Sequence, residues 1–287
     1  VSLQSVLFPL ARRFVAGESV DDALAAVRAL NAAGMRATID LLGEDVHRAD
    51  DADRVRDGYL ALIDRLAADP ADTNLSIKLS ALGLTFGRDA ALERFAAVLA
   101  QAQAALRDAF VRVDMEGSAL VDATIEAVDA AFRRHRNTGL VLQAYLHRTP
   151  ADVERAIGLG MRVRLCKGAY REPADIALQE MDAIRVQFLA LATRLLATGT
   201  YPAIATHDPL LIAAVKQIAR ERSIAPETFE FQLLYGVRPD VQAALVREGY
   251  RVRVYVPFGT HWAKYFHRRI TERRANLVFA LRSLVER

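Results

Sequence analysis

Eight short β-rich runs, each preceded or followed by a longer stretch of helical period, leave this chain few folds to choose from. The runs are Arg36–Leu42, Asn74–Leu79, Val111–Met115, Gly139–Tyr145, Met161–Cys166, Ala203–Thr206, Phe229–Leu234 and Arg251–Val256. Between them lie segments such as Arg88–Asp108, apolar at Ala91, Leu92, Phe95, Val98 and Leu99, and Leu210–Arg220. Strands alternating with helices imply parallel βαβ units. Eight of them in about 250 residues are the pattern of a (β/α)8 barrel. The rival is an open doubly wound sheet, whose dinucleotide-binding form carries a Gly-rich turn after its first strand. Here the first strand runs into Leu41, Leu42, Gly43 and Glu44, and no G-x-G-x-x-G or P-loop occurs. The expected fold is therefore an α/β (TIM) barrel forming one domain over residues 1–287. Ser2–Asn31, with Leu3, Val6, Leu7, Leu10, Ala23, Val27 and Leu30 on its apolar face, reads as one or two helices capping it. Residues 1–33 form that cap, 36–256 the eight units, and 260–287 a final helix placed over the barrel mouth.

Composition removes several function classes. Of 287 residues 52% are hydrophobic and 25% charged, enough apolar side chain for a large core. Lys and Arg number 38 against 35 Asp and Glu, a net charge of +3, which is not the clustered charge of a nucleic-acid binder. The single cysteine, Cys166, excludes an intrachain disulfide and fits a reducing, cytoplasmic setting. No apolar run approaches the roughly 18 residues of a membrane span, and Arg12 and Arg13 follow the first apolar stretch without a signal-peptide cleavage site. Membrane contact is thus expected to be peripheral at most. The six histidines form no H-x-H or H-E-x-x-H arrangement, so no metal is expected. A G-x-S-x-G nucleophile elbow is absent too.

In a barrel the chemistry sits at the C-terminal ends of the strands. Strand one runs into Glu44 and strand two ends in Lys78. Strand three ends in Asp114 and Glu116, and strand four in Gln143 and Tyr145. Strand five carries Arg164, Lys167 and Tyr170, strand six Thr206 and His207, strand seven Gln232 and Tyr235, and strand eight Tyr255. Taken singly each has a plain explanation: a solvated lysine, an aspartate capping a turn, a glutamine bonded to neighbouring backbone. Eight strands delivering a polar group to one rim point instead to a polar ligand there. On the last helix Tyr265, Arg268, Arg269 and Glu272 share a face. That face either lies in solvent with an Arg268–Glu272 ion pair or presents two guanidiniums to a carboxylate, for which their fork geometry is suited.

The run Arg164–Tyr170 (RLCKGAY) resembles the RLVKGAY signature of the proline dehydrogenase family. So do DLLGE (Asp40–Glu44), IKLSALG (Ile77–Gly83), VDMEG (Val113–Gly117), LQAYL (Leu142–Leu146), ATHD (Ala205–Asp208), EFQLLYG (Glu230–Gly236), YVPFG (Tyr255–Gly259) and YFHRRITE (Tyr265–Glu272). The blocks fall in family order and cover about residues 36–276. The resemblance implies a distorted (β/α)8 barrel that holds FAD and oxidises L-proline to Δ1-pyrroline-5-carboxylate, the first step of proline catabolism to glutamate, with electrons passed to a quinone. By matching positions, it implies that Lys78, Arg268 and Arg269 bind the proline carboxylate and that Tyr255 walls the proline pocket. Asp114 and Arg164 match catalytic positions. Met115, Gln143, Arg164, Cys166, Lys167, Gly168, Thr206 and His207 match FAD contacts, and Glu44 the acidic partner of Arg268 in an active-site gate. Cys166 departs from the family's usual Val; its backbone can still face the flavin, so little change is expected, although a thiol near FAD could be redox-sensitive. Bifunctional relatives fuse a pyrroline-5-carboxylate (glutamate semialdehyde) dehydrogenase to this barrel, so the present chain is expected to be the monofunctional type, coupled functionally to a separate such enzyme.

The residues suit that chemistry. A zwitterionic amino acid needs a multidentate cationic site for its carboxylate, and cations around it disfavour its ammonium form. Positive charge near a flavin stabilises the reduced ring. Two alternatives use the same residues differently: an aldolase-like barrel with Lys78 or Lys167 as a Schiff-base amine, and a non-catalytic binding module.

Overall fold

Parallel pairing of all eight β-rich runs closes them into a barrel in which each strand bonds the next in sequence and the last bonds the first. The computed structural model describes residues 11–43, 46–69, 71–267 and 269. The strands are β1 (Arg36–Leu41), β2 (Thr73–Ile77), β3 (Val111–Val113), β4 (Thr138–Gln143), β5 (Val163–Cys166), β6 (Ala203–Ala205), β7 (Glu230–Leu234) and β8 (Val252–Phe258). The helices are α1 (Val20–Ala32), α2 (Ala49–Ala67), α3 (Arg88–Ala105), α4 (Val121–Phe132), α5 (Thr149–Leu159), α6 (Met181–Thr198), α7 (Pro209–Glu221) and α8 (Pro239–Arg247). Closure rests on β1 and β8, in register from Arg36 opposite Arg253 to Leu41 opposite Phe258. Several strands are shorter than their apolar runs. The chain leaves β2 at Ile77 and β3 at Val113, so Lys78, Asp114 and Met115 stand just past the ladder, where the backbone turns toward the next helix.

Each strand is buried on both faces, as a parallel barrel requires. On β2, Leu75 and Ile77 join the apolar layer beneath the helices, and Ser76 takes the other face. Phe95 of α3 and Phe188 of α6 are wholly buried in that layer. Capping punctuates the first helix: Ser19 Oγ accepts from Asp22 N, and Ser19 N donates to Asp22 Oδ2, both at 3.1 Å.

The N-terminal helix has an unusual post. α1 packs on β1 and β8, the position where a regular barrel would set the helix that follows its last strand. The segment after β8 is thereby released to cross the barrel mouth. Its helical residues 262–267 bury Trp262, Tyr265 and Phe266 against Phe14, Val15 and Leu42, the last lying just past β1. Trp262 Nε1 donates to Glu18 Oε1 at 3.0 Å. At Gly236, with φ +70°, a Cβ would lie 1.6 Å from the carbonyl oxygen of Arg13, so only glycine admits the turn that passes over it. The remainder of the expected N-terminal and C-terminal helices, residues 1–10 and 270–287, lies outside the described residues. No helix among the described residues is long and apolar enough to cross a membrane.

Candidate active site

Charged and amide side chains fill the barrel's axis where a regular barrel stacks branched apolar ones. At the upper end Asp114 receives four donors. Arg164 Nη1 reaches its Oδ1 at 2.7 Å and Ser76 Oγ at 2.8 Å; Tyr255 Oη reaches Oδ2 at 2.9 Å and Lys78 Nζ at 3.4 Å. Lys78 also donates to Asp40 Oδ2 at 2.9 Å and to Tyr255 Oη at 3.3 Å. Lower down, Arg164 Nε donates to Gln232 Oε1, and Gln232 Nε2 donates to Glu230 Oε1. Arg253 Nε then meets both oxygens of Glu230, at 2.9 and 3.1 Å. These residues lie on or just past β1, β2, β3, β5, β7 and β8, and bonds such as Arg164 to Ser76 join strands three apart around the barrel. Only side chains directed into the barrel can make them.

The electrostatics follow from this packing. Burial works against the charge of Asp114, but Lys78, Arg164 and the hydroxyl donors outweigh it and hold its carboxyl below the usual range. Asp40, 1% exposed, is pushed up by burial against the pull of Lys78. Glu230 is held down because Arg253 and its hydrogen bonds offset its burial. Lys78 therefore ends among two carboxylates and a phenol, an ion pair rather than the unpaired, desolvated amine that Schiff-base chemistry uses.

Around this column the rim loops are clamped to one another. Ser80 N donates to Glu116 Oε2 at 3.2 Å, and Ser118 N to Glu172 Oε1 at 2.7 Å, each serine hydroxyl donating to the same carboxylate. Gln143, a residue that a buried ligand would engage, instead bonds backbone: Nε2 donates to Glu116 O at 3.0 Å, and Oε1 accepts from Ala169 N at 3.4 Å. Met115 is buried in the core. Lys167 Nζ donates to Asp208 Oδ2 at 3.3 Å, an oxygen that Arg185 Nε also reaches at 2.9 Å. Thr206 Oγ1 accepts from Asp208 N at 3.1 Å. Gly168, at φ +124°, carries the ring of Tyr145 where any Cβ would lie, 2.3 Å away. Burial pushes the Cys166 thiol up to about 12, and its Sγ faces Leu142 O at 3.6 Å. Burial thus disfavours the thiolate form of Cys166.

His207 Nε2 accepts from Leu234 N at 2.9 Å, which puts the ring proton on Nδ1. Burial and the cations Arg269, Lys167 and Arg238 lower its pKa to about 4. An unfolded histidine binds its proton near 6.5, so the fold should lose stability as pH falls from 6.5 toward 4. In H207Q, which keeps an acceptor for Leu234 N, the decline in Tm across that window should be shallower. Parallel declines in the two proteins would remove His207 as their source.

Arg269 brings the last helix into this picture. Its guanidinium lies 5.2 Å from the centre of the Tyr265 ring, and its charge is felt at His207, just past β6. Glu44, Arg268 and Glu272, and with them the expected gate and the Arg268–Glu272 pair, lie outside the described residues. The polar strand residues do not all stand on one rim. Arg164 and Gln232 lie inside the barrel, together with Asp40, Ser76, Arg112, Glu230 and Arg253, which strand ends alone did not single out. Their signal was period two: Ser76 with Lys78, Arg112 with Asp114, Glu230 with Gln232, Arg253 with Tyr255. Among the described residues no group of three or more His, Cys, Asp or Glu is arranged to hold a metal ion.

The family model described as proline dehydrogenase matches residues 23–282. Proline dehydrogenase 1 of Bacillus subtilis (strain 168) is 39% identical over 277 residues, 96% of this chain and 91% of that protein. The proline dehydrogenase of Deinococcus radiodurans is 36% identical over 285 residues, 98% of this chain and 91% of its own length. Among solved structures, proline utilization A (PutA) from Bdellovibrio bacteriovorus, inactivated by N-propargylglycine, superposes with a TM-score of 0.85 at 25% identity. The match covers 93% of this chain and 33% of that one, so the present chain spans a third of its length.

Proposed function

The chain belongs to the proline dehydrogenase family, and from that premise we propose that it oxidises L-proline to Δ1-pyrroline-5-carboxylate with FAD as its cofactor and a quinone as the final electron acceptor. One observation carries this reading. The Arg164 guanidinium is engaged through Nε and Nη1, whereas Nη2, equally buried, has no hydrogen-bond partner among the described residues. A buried cationic N–H left open costs free energy unless a ligand completes it. A flavin ring, which gains negative charge on reduction, is a fitting acceptor, and the donor set around it suits that group.

In this reading Arg164, Lys167 and His207 hold the cofactor, with Met115, Gln143, Cys166, Gly168 and Thr206 lining its bed. When bound, FAD supplies the acceptor for the hydride that leaves proline. Lys78 and Arg269, joined by Arg268, bind the proline carboxylate, and Tyr255 forms a wall of the pocket with its hydroxyl tied to Asp114. Asp114 fixes Lys78, Arg164 and Tyr255 in one arrangement, so the groups that orient substrate and cofactor are set before either arrives. Positive charge from Lys78, Arg164 and Arg269 disfavours the substrate ammonium and so assists loss of its proton. The gate role that would close the site against water is assigned to Glu44 and Arg268, which lie outside the described residues. The product is suited to onward oxidation by a pyrroline-5-carboxylate dehydrogenase.

The test is the visible spectrum. The purified protein should absorb near the flavin's usual ~450 nm band, and anaerobic L-proline should bleach it. Protein that is colourless and takes up no FAD on reconstitution would overturn this function.

A further inference from the structure

Glu230 and Gln232 have no task in the scheme above, yet they grip the guanidinium on which it depends. Gln232 accepts from Arg164 Nε through Oε1 and donates to Glu230 through Nε2. A carboxylate only accepts, so Glu230 dictates which end of the Gln232 amide faces Arg164. Flipping that amide would set its NH2 against the Arg164 Nε–H, donor against donor. Glu230 is in turn held by Arg253 Nε at 2.9 and 3.1 Å, and Arg253 Nη1 donates to Ala37 O at 2.6 Å. All four side chains are almost wholly buried. On the other flank Arg164 Nη1 is fixed by Asp114 and Ser76. A planar group bonded along two edges keeps one orientation, and that orientation decides where the open Nη2 points.

We propose that Glu230 and Gln232 are positioning residues for the reaction: acting through Arg164, they fix the plane of its guanidinium against the flavin and thereby set the reduction potential and the rate of hydride transfer. The proposal rests on the reading that Arg164 faces the flavin. It differs from a purely structural role, in which the two residues only satisfy one another inside the barrel. Such a role predicts a loss of stability and nothing else.

Two variants of the FAD-loaded enzyme separate these cases. Q232M removes the acceptor from Arg164 Nε at similar volume. The exchange E230Q/Q232E keeps a hydrogen bond at every link of the chain, reversing only the one between positions 230 and 232, but moves the negative charge one position closer to Arg164. In Q232M the rate of flavin reduction by saturating L-proline, per bound flavin, should fall at least about tenfold while the Kd for proline changes little. The two-electron potential should fall by about 30 mV, the same tenfold in equilibrium terms. In the exchange variant Tm should stay near that of the parent, yet the potential should fall by a similar amount, because the cation beside the reduced ring is neutralised. This arm decides the matter even if Q232M does not fold. Parental potential and reduction rate per flavin in the folded variants, with Tm alone altered, would overturn the proposal. Parent protein that binds no flavin would instead overturn the function beneath it.

Discussion

Asp114→Ala should cost the fold about 3–5 kcal/mol, the penalty for stranding buried charge, and abolish proline oxidation with it. Four donors converge on this carboxylate: Arg164, Ser76, Tyr255 and Lys78. Alanine leaves the cations Arg164 and Lys78 without the carboxylate they share, Lys78 keeping its pair with Asp40. At roughly 2–4 °C per kcal/mol for a chain of this size, Tm should drop by about 10 °C. Asn at the same position keeps the shape and two acceptor lone pairs, so its stability cost should be smaller and its activity still lost. Thermal melts of both variants decide the point. A drop of under about 3 °C in the alanine variant would mean that water or a shifted side chain replaces the carboxylate.

Lys78→Met should lower kcat/KM for L-proline at least tenfold, since a charge-assisted hydrogen bond in a dry pocket is worth roughly 1.5–3 kcal/mol. Its signature in stability is a pH dependence. Removing the ammonium 2.9 Å from Asp40 removes what opposes the upward push of burial on that carboxyl. A carboxyl with a raised folded pKa binds its proton more tightly in the native state, so stability is present at low pH and lost as pH rises through the folded value. The gap in Tm between parent and variant should therefore widen from pH 5 to pH 8. Adding Asp40→Asn should close most of that gap, because the two side chains act as a unit. Unchanged kcat/KM together with the widening gap would leave Lys78 as Asp40's counter-ion and nothing more.

Much of this was legible in the chain itself. β1 and β7 begin and end within a residue of the runs marked out in the sequence, because the apolar residues facing the helices, Ala37 and Ile39 or Phe231 and Leu233, recur at period two along them. Lys78, Asp114, Arg164 and Tyr255 were recognisable as strand-end residues, and the structure brings them together around one carboxylate. Partners were not legible. The bond from Arg253 to Ala37 joins residues 216 apart, and that from Arg164 to Ser76 joins residues 88 apart. No local spacing encodes such pairs. Gln143 and Gln232 looked alike in sequence, each an amide in an apolar strand. One is satisfied by backbone and the other by two charged side chains, a difference set by what the neighbouring strands place opposite.

Because α1 fills the slot between β1 and β8, the two ends of the barrel's own construction wait for each other. On the ribosome, at 5–20 residues per second, the 216 residues from Ala37 to Arg253 take on the order of 10–40 s to emerge. Throughout that interval β1 offers an unpaired parallel edge, and Ala23, Leu24 and Val27 of α1 lack half of the surface that buries them. The nascent chain is then a sticky, open sheet whose first strand is also its last to be sealed. Holdase chaperones have their longest opportunity at this end of the molecule, and slowing translation of β8 lengthens the period of risk rather than easing folding.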